Sequence, residues 1–238
     1  MIVSIHQPSF LPWPGYFYKI AKSDIFVTLD TVQYSKHAFF NRNKIKTPEG
    51  ELWLTVPVEK ASGLTSTLMK DVRISNQHDW KRKHLRTFEM NYKRAKYFDE
   101  IYRRLEKVYN EVEWDNLCLF NMALMRTLLG ALRLNNCRLV KASDICIDIV
   151  TVGGTHLLIG IVKRMEGKTY LSGFGGKKYQ AEDMYKEAGI ELQYYEFSPP
   201  TYPQLWGEFI PRLSIIDLLF NCGPDSLDIL LNKKEEQE

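Results

Sequence analysis

The chain has 238 residues, 45% of them hydrophobic and 13% aromatic, and a formal net charge of +3. That length and apolar content suffice for one domain with a substantial core, and so small a charge argues against a dedicated nucleic-acid binder held by bulk electrostatics. No apolar run approaches the roughly 20 residues that span a bilayer, and no basic-then-apolar signal region opens the chain.

Cys118, Cys137, Cys146 and Cys222 are widely spaced and form no CxxC pair. Reduced thiols of a cytoplasmic protein are expected, with neither a zinc site nor a disulfide frame. Met1 to Ile5 is a short apolar run that stops at a loop, Pro8 to Gly15, with three prolines and a glycine in eight residues. An amphipathic stretch, Tyr16 to Ala21, leads to a second apolar run, Ile25 to Leu29. Strand, rigid loop, helix, strand is the unit that builds a parallel sheet. ELWLTVPV alternates bulk at Leu52, Leu54, Val56 and Val58 and predicts a strand; Met69 to Ile74 predicts another. From Asp79 to Leu134 there is no proline and one glycine, Gly130. Trp80, His84, Phe88, Ile101, Leu105 and Val108 fall near helical spacing, so residues 79–134 are expected to form a helical insert or cap. Met122 and Met125 belong to its core.

The sheet pattern returns at Cys137 to Lys141. A helix follows at Thr155 to Met165, then a strand at Lys168 to Leu171. A helix at Tyr179 to Ala188 stops at Gly189, before a strand at Glu191 to Phe197 and a last helix at Leu213 to Phe220. Residues 233–238 read as a disordered tail. The expected fold is a single α/β domain over residues 1–238, with a mainly parallel, Rossmann-like sheet and a helical insert.

Ligands of such sheets bind at the carboxyl ends of the strands, which singles out His6, Gln7, Trp13 and Tyr16. His6 reads as a general base, because its ordinary pKa lies near neutrality; a strand-end histidine can equally be a structural hydrogen-bond partner. Arg42, Lys44 and Lys36 suit a phosphate or carboxylate clamp. Asp30 and Gln33 suit an amine or a sugar hydroxyl. Ser172, Gly173, Gly175 and Gly176 form a strand-to-helix loop, read either as an anion nest or as a tight turn. It matches neither the dinucleotide fingerprint nor a P-loop. The basic run from Lys81 to Lys96, balanced by Glu89, Asp99, Glu100 and Glu106, reads as a solvated helix face.

Two resemblances extend this reading. HQPSFLPWPGYF resembles the nucleotide-binding loop of adenylyl- and cytidylyltransferases, with Gln7-Pro8, Gly15 and Asp24 at corresponding places. Trp13 and Tyr16 stand where that family has its two histidines, so the likeness supports a related fold without nucleotidyl transfer. HQPSFLPWPGYF, LDTVQYSKHAFFNRNKIK, WLTVPV, YLSGFGGKKY, GIELQYYEF and YPQLWGEFIPRLSIIDLLFNCGP together resemble the WbqC-like proteins along nearly the whole chain. That resemblance implies O-antigen, lipopolysaccharide or other surface-polysaccharide biosynthesis and supplies no catalytic residues. The expected function is a transferase that places an acyl or aminoacyl group on a nucleotide-linked amino sugar. The expected partner is thus a nucleotide-sugar or another phosphate-bearing small molecule; no cofactor or oligomeric state is specified. The alternatives are a non-catalytic nucleotide- or sugar-binding accessory protein and a modifier of nucleic acid.

Overall fold

The computed structural model describes residues 1–35, 38–59, 67–145 and 154–232. Lys36, Cys146 and the tail at 233–238 lie outside the described residues. In chain order the elements are β1 (Ile2–His6), α1 (Pro14–Ala21), β2 (Ile25–Thr28), β3 (Arg42–Thr47), β4 (Gly50–Thr55), α2 (Trp80–Tyr92), α3 (Phe98–Glu111), α4 (Leu117–Ala131), β5 (Arg138–Lys141), α5 (Gly154–Arg164), β6 (Thr169–Gly173), α6 (Glu182–Glu187), β7 (Glu191–Tyr195), α7 (Ile215–Cys222) and α8 (Ser226–Leu230). The chain divides into two compact units. The first comprises Met1–Gln7, Tyr18–Val32 and Asn136–Ser198; the second comprises Pro8–Phe17, Gln33–Asn135 and Pro199–Glu238.

The first unit is built on a five-stranded sheet in the order β5-β2-β1-β6-β7, with every neighbouring pair parallel. Parallel strands are covered on both faces, which is why their sequences read as continuous apolar runs; all four residues of β2 are buried. Val3 and Ile5 of β1 pack in a core with Leu157, Ile161 and Val162 of α5. Ser4, on the opposite face, is held through its hydroxyl by Ser23 just after α1. The expected α/β, Rossmann-like sheet is therefore present, with β1 and β2 as neighbours. The helix expected at Tyr179 to Ala188 is shorter, and a 3-10 helix at Phe174–Lys178 precedes it.

Gly189 ends α6 as the sequence predicts. It sits at φ +71°, its amide bonds Lys186 O, and the next amide, of Ile190, bonds Tyr185 O at 2.9 Å. This double closure is favourable for a glycine and strained for other residues. Gly189→Ala is expected to cost about 1 kcal/mol, read as a thermal midpoint lower by about 2–4 °C. A melt unchanged from wild type would show that the left-handed position carries no strain.

In the second unit β3 and β4 form an antiparallel hairpin, in register from Arg42 opposite Thr55 to Thr47 opposite Gly50. α2, α3 and α4 lie within the stretch expected to be helical. Asp79 caps α2 by accepting from the Arg82 amide, and Asn116 caps α4 by accepting from the Leu119 amide, as short polar side chains do at helix starts. Trp80, His84, Phe88 and Tyr92 are buried at helical spacing, and Met122 and Met125 are buried as expected. Arg82, Lys83, Arg86, Lys93, Arg94 and Lys96 are exposed, the solvated face anticipated from their charge balance. The strand expected over Met69 to Ile74 is instead a 3-10 turn, Met69–Asp71, followed by single bridges from Arg73 to Asn116 and from Ile74 to Val58. Its apolar residues, Met69, Val72 and Ile74, are spaced to bury one side of a turn, a pattern too short to distinguish from a strand.

Candidate functional site

The strand order turns around at β1. The chain runs from β1 to β2 and then to the edge strand β5, and returns on the other side of β1 through β6 and β7. The carboxyl ends of β1 and β6 therefore flank a topological switch point, the place where open α/β sheets bind ligands. His6 and Gln7 leave β1 there, and Ser172 and Gly173 end β6.

The two strands part before they end. Their register runs from Ile2 opposite Thr169 through Val3 opposite Tyr170 to Ser4 opposite Leu171, and stops. His6 O faces β2, where it accepts from the Leu29 amide at 2.8 Å. Alternation along the strand then turns Ile5 O toward β6. That carbonyl, which the ladder with β6 does not use, accepts from Lys19 Nζ at 2.7 Å. A lysine from α1 thus fills the position where the sheet opens.

Burial sets the electrostatics. Lys19 is 3% exposed, and desolvation pushes its ammonium down to about 7. His6 is pushed down to about 4, by burial first and by the Lys19 charge second. Its Nδ1 lies 3.0 Å from Gln7 O. A carbonyl only accepts, so Nδ1 carries the proton and Nε2 is the basic nitrogen. His6 is accordingly neutral throughout the physiological range, with Nε2 as the unprotonated nitrogen of the ring.

The Ser172 loop is built by close approach. None of Gly173, Gly175 and Gly176 has positive φ, so the alternating left- and right-handed backbone of an anion nest is not formed there. At Gly176 a Cβ would run into Ser172 Oγ and the Gln180 amide. Gln180 Nε2 donates to Ser172 Oγ at 3.0 Å, and Tyr170 stacks on Tyr185 with centroids 5.5 Å apart. Asp30 is buried at the end of β2. Its two oxygens accept from Ser143 N at 2.9 Å and Ser143 Oγ at 2.6 Å, which ties β2 to the turn after β5.

The remaining candidates lie in the second unit. Tyr16 is 2% exposed and packs against Phe17, so its ring serves the interior. Trp13 covers Gly15, where any Cβ would strike the indole. Gln33 pairs with Leu68 in an isolated bridge. Arg42 stacks over Trp53 at 4.6 Å, Lys44 lies 5.1 Å from the same ring, and Lys44 pairs with Glu51. The buried Arg42 Nε has no hydrogen-bond partner among the described residues. Asn41 and Asn43 between them are structural: Asn41 bonds Val56 O at 2.8 Å and Asn43 bonds Leu11 O at 2.6 Å. His6, Gln7, Asp30 and the Ser172 loop thus share the carboxyl edge of one sheet, whereas Arg42 and Lys44 share the hairpin of the other unit. Lys19 is the residue that sequence reasoning missed. Its only signal was a charge between Tyr18 and Ile20 in a stretch whose other positions are mostly apolar.

Among the described residues no helix is long and apolar enough to cross a membrane. A model of the WbqC-like protein family matches residues 7–229. An uncharacterized protein of Mycobacterium tuberculosis strain ATCC 25618 / H37Rv, Rv1507c, is 35% identical over 229 residues, covering 96% of each chain. No solved structure matches the chain. The family match runs from the loop after β1 to the C-terminal helices, and the chain belongs to the WbqC-like protein family.

Proposed function

We propose that the chain is a transferase acting on a nucleotide-linked amino sugar, and that it places an acyl or aminoacyl group on the sugar amine in surface-polysaccharide biosynthesis. The observation that carries this reading is the neutral His6 at the switch point, with Nδ1–H committed to Gln7 O and Nε2 as the basic nitrogen. In the reaction the sugar nitrogen attacks the acyl carbon and a C–N bond forms. The bond from that carbon to the donor's leaving group breaks, its electron pair departing with the leaving group. The proton lost by nitrogen passes to His6 Nε2. A base whose pKa is about 4 is weak, so it takes the proton only after bond formation has made the nitrogen acidic, and then hands it on.

The test is incubation of the protein with uridine- and thymidine-diphosphate amino sugars and a panel of acyl and aminoacyl donors, read by mass spectrometry alongside thermal melts. Acylated product from wild type is expected. His6→Ala is expected to lose turnover while its melting midpoint stays within a few degrees, since the short local bond from the ring to Gln7 O is worth about 1 kcal/mol. Ligand-dependent stabilisation without product would assign the accessory, non-catalytic role. Neither stabilisation nor product would overturn the proposal.

A further inference from the structure

The chemistry of the Lys19 amine goes beyond the transfer reaction and does not depend on it. An ammonium carries three N–H donors, and the one hydrogen bond Lys19 Nζ makes among the described residues is to Ile5 O. The titratable group that acts on it from β1 is His6, which has the same charge sign when protonated; Lys19 forms no ion pair with a carboxylate among the described residues. Buried lysines are ordinarily paired, because an isolated buried charge is costly. Here the backbone beside it is also open. The β1–β6 ladder stops at Ser4 and Leu171, and strand alternation turns the Gly173 amide toward the same gap. His6, Gln7 and Gly173 at its rim are partly exposed, while the lysine itself is covered.

We propose that the gap between the carboxyl ends of β1 and β6 is a phosphoryl-binding site in which Lys19 Nζ supplies the positive charge and the Gly173 N–H a second donor. The anion provides the missing counter-charge, and Lys19 takes up a proton as the anion binds. A compact ammonium beside a backbone amide suits a phosphoryl oxygen. Because burial pushes Lys19 down to about 7, proton uptake should be largest at pH 8 to 9 and vanish below about 6.

The experiment is NMR titration of the whole chain carrying 13C,15N-lysine, with sulfate as a tetrahedral dianion that does not itself titrate in this range. Sulfate is expected to raise the Lys19 midpoint by about 1–3 units, the ordinary effect of an adjacent opposite charge. Acetate should do so less, and a larger effect of acetate would reassign the site to carboxylates. Uridine-diphosphate glucose forms the third arm. If sulfate moves Lys19 and the nucleotide sugar does not bind, the anion site stands and the transferase reading fails. If the nucleotide sugar binds without moving Lys19, the anion site fails and the transferase reading stands. Lys19→Met keeps the buried aliphatic stem and should weaken sulfate roughly tenfold or more. Should that variant not fold, the wild-type titration alone decides, and an unmoved Lys19 midpoint in saturating sulfate overturns the proposal.

Discussion

Asp217→Ala is expected to lower the thermal midpoint by about 6–20 °C, corresponding to a loss of about 3–5 kcal/mol. Asp217 lies on α7, fully buried, and burial pushes its carboxyl up. The tyrosines and lysine around it oppose that shift. Tyr92 OH donates to Oδ2 at 2.7 Å and Tyr202 OH to Oδ1 at 3.0 Å. Tyr92 in turn accepts from the Lys46 amide at 2.9 Å, and Lys46 Nζ donates to Gln204 Oε1 at 3.0 Å and to Glu208 O. One carboxylate therefore joins the hairpin, α2, α7 and the proline-rich segment before α7. Deleting it leaves two hydroxyls without that acceptor and removes a negative charge that acts on Lys46, and buried groups cannot turn to water for replacements. Asp217→Asn keeps the shape and one acceptor oxygen, so it should lose about half as much or less. Urea melts of wild type, both variants and Tyr202→Phe measure this. A loss below about 1 kcal/mol in the alanine variant would show that water fills the gap and that the network adds little.

Strand β1, α1, strand β2, the three long helices and the Gly189 stop were legible because each carries its cause locally. β2 is three apolar residues and a threonine, all buried, α2 repeats its aromatics at helical spacing, and Gly189 needs φ +71°. β3 was not legible, because Arg-Asn-Lys-Ile-Lys holds its alternation with polar atoms. Asn43 is buried yet points inward to bond Leu11 O, 32 positions away in the chain. The same limit governs the site. That His6 stands at a strand end follows from the local pattern, but the switch point beside it exists only once β6 is known to lie next to β1. Asp30 looked poised for a ligand until its partner, Ser143, was located 113 positions further on. Lys19 hid for a related reason: a helix lysine normally extends into water, and only the stopped ladder between β1 and β6 gives its amine a place inside.

Acidification from pH 7 to pH 5 is expected to destabilise the fold by about 3–4 kcal/mol through two histidines alone. His6 and His84 are each pushed from the ordinary 6.5 to about 4, burial being the main cause in both. Between those values the unfolded chain holds a proton on each ring and the folded chain does not, so unfolding takes up protons and acid favours it. The sign is fixed: stability is constant above about pH 7, falls as pH drops toward 4, and levels off below it as far as these two groups are concerned. His84 is 6% exposed in an aromatic cage of Phe10, Trp80 and Tyr109. Its Nε2 donates to Thr55 O at 3.2 Å, which leaves Nδ1 to accept from Tyr109 OH at 3.1 Å. Protonation would set an N–H against that hydroxyl and a charge among the rings. His84→Gln should cost stability at pH 7 while removing about half of the acid dependence; His6→Ala should remove the other half at little cost at pH 7. Chemical denaturation of the three proteins at pH 5, 6 and 7 reads the proton uptake as the slope of stability against pH. A wild-type stability that is flat from pH 7 to 5 would mean that both imidazoles stay as well solvated in the folded state as in the unfolded chain, and His6 would then lose the neutral character on which its proposed role depends.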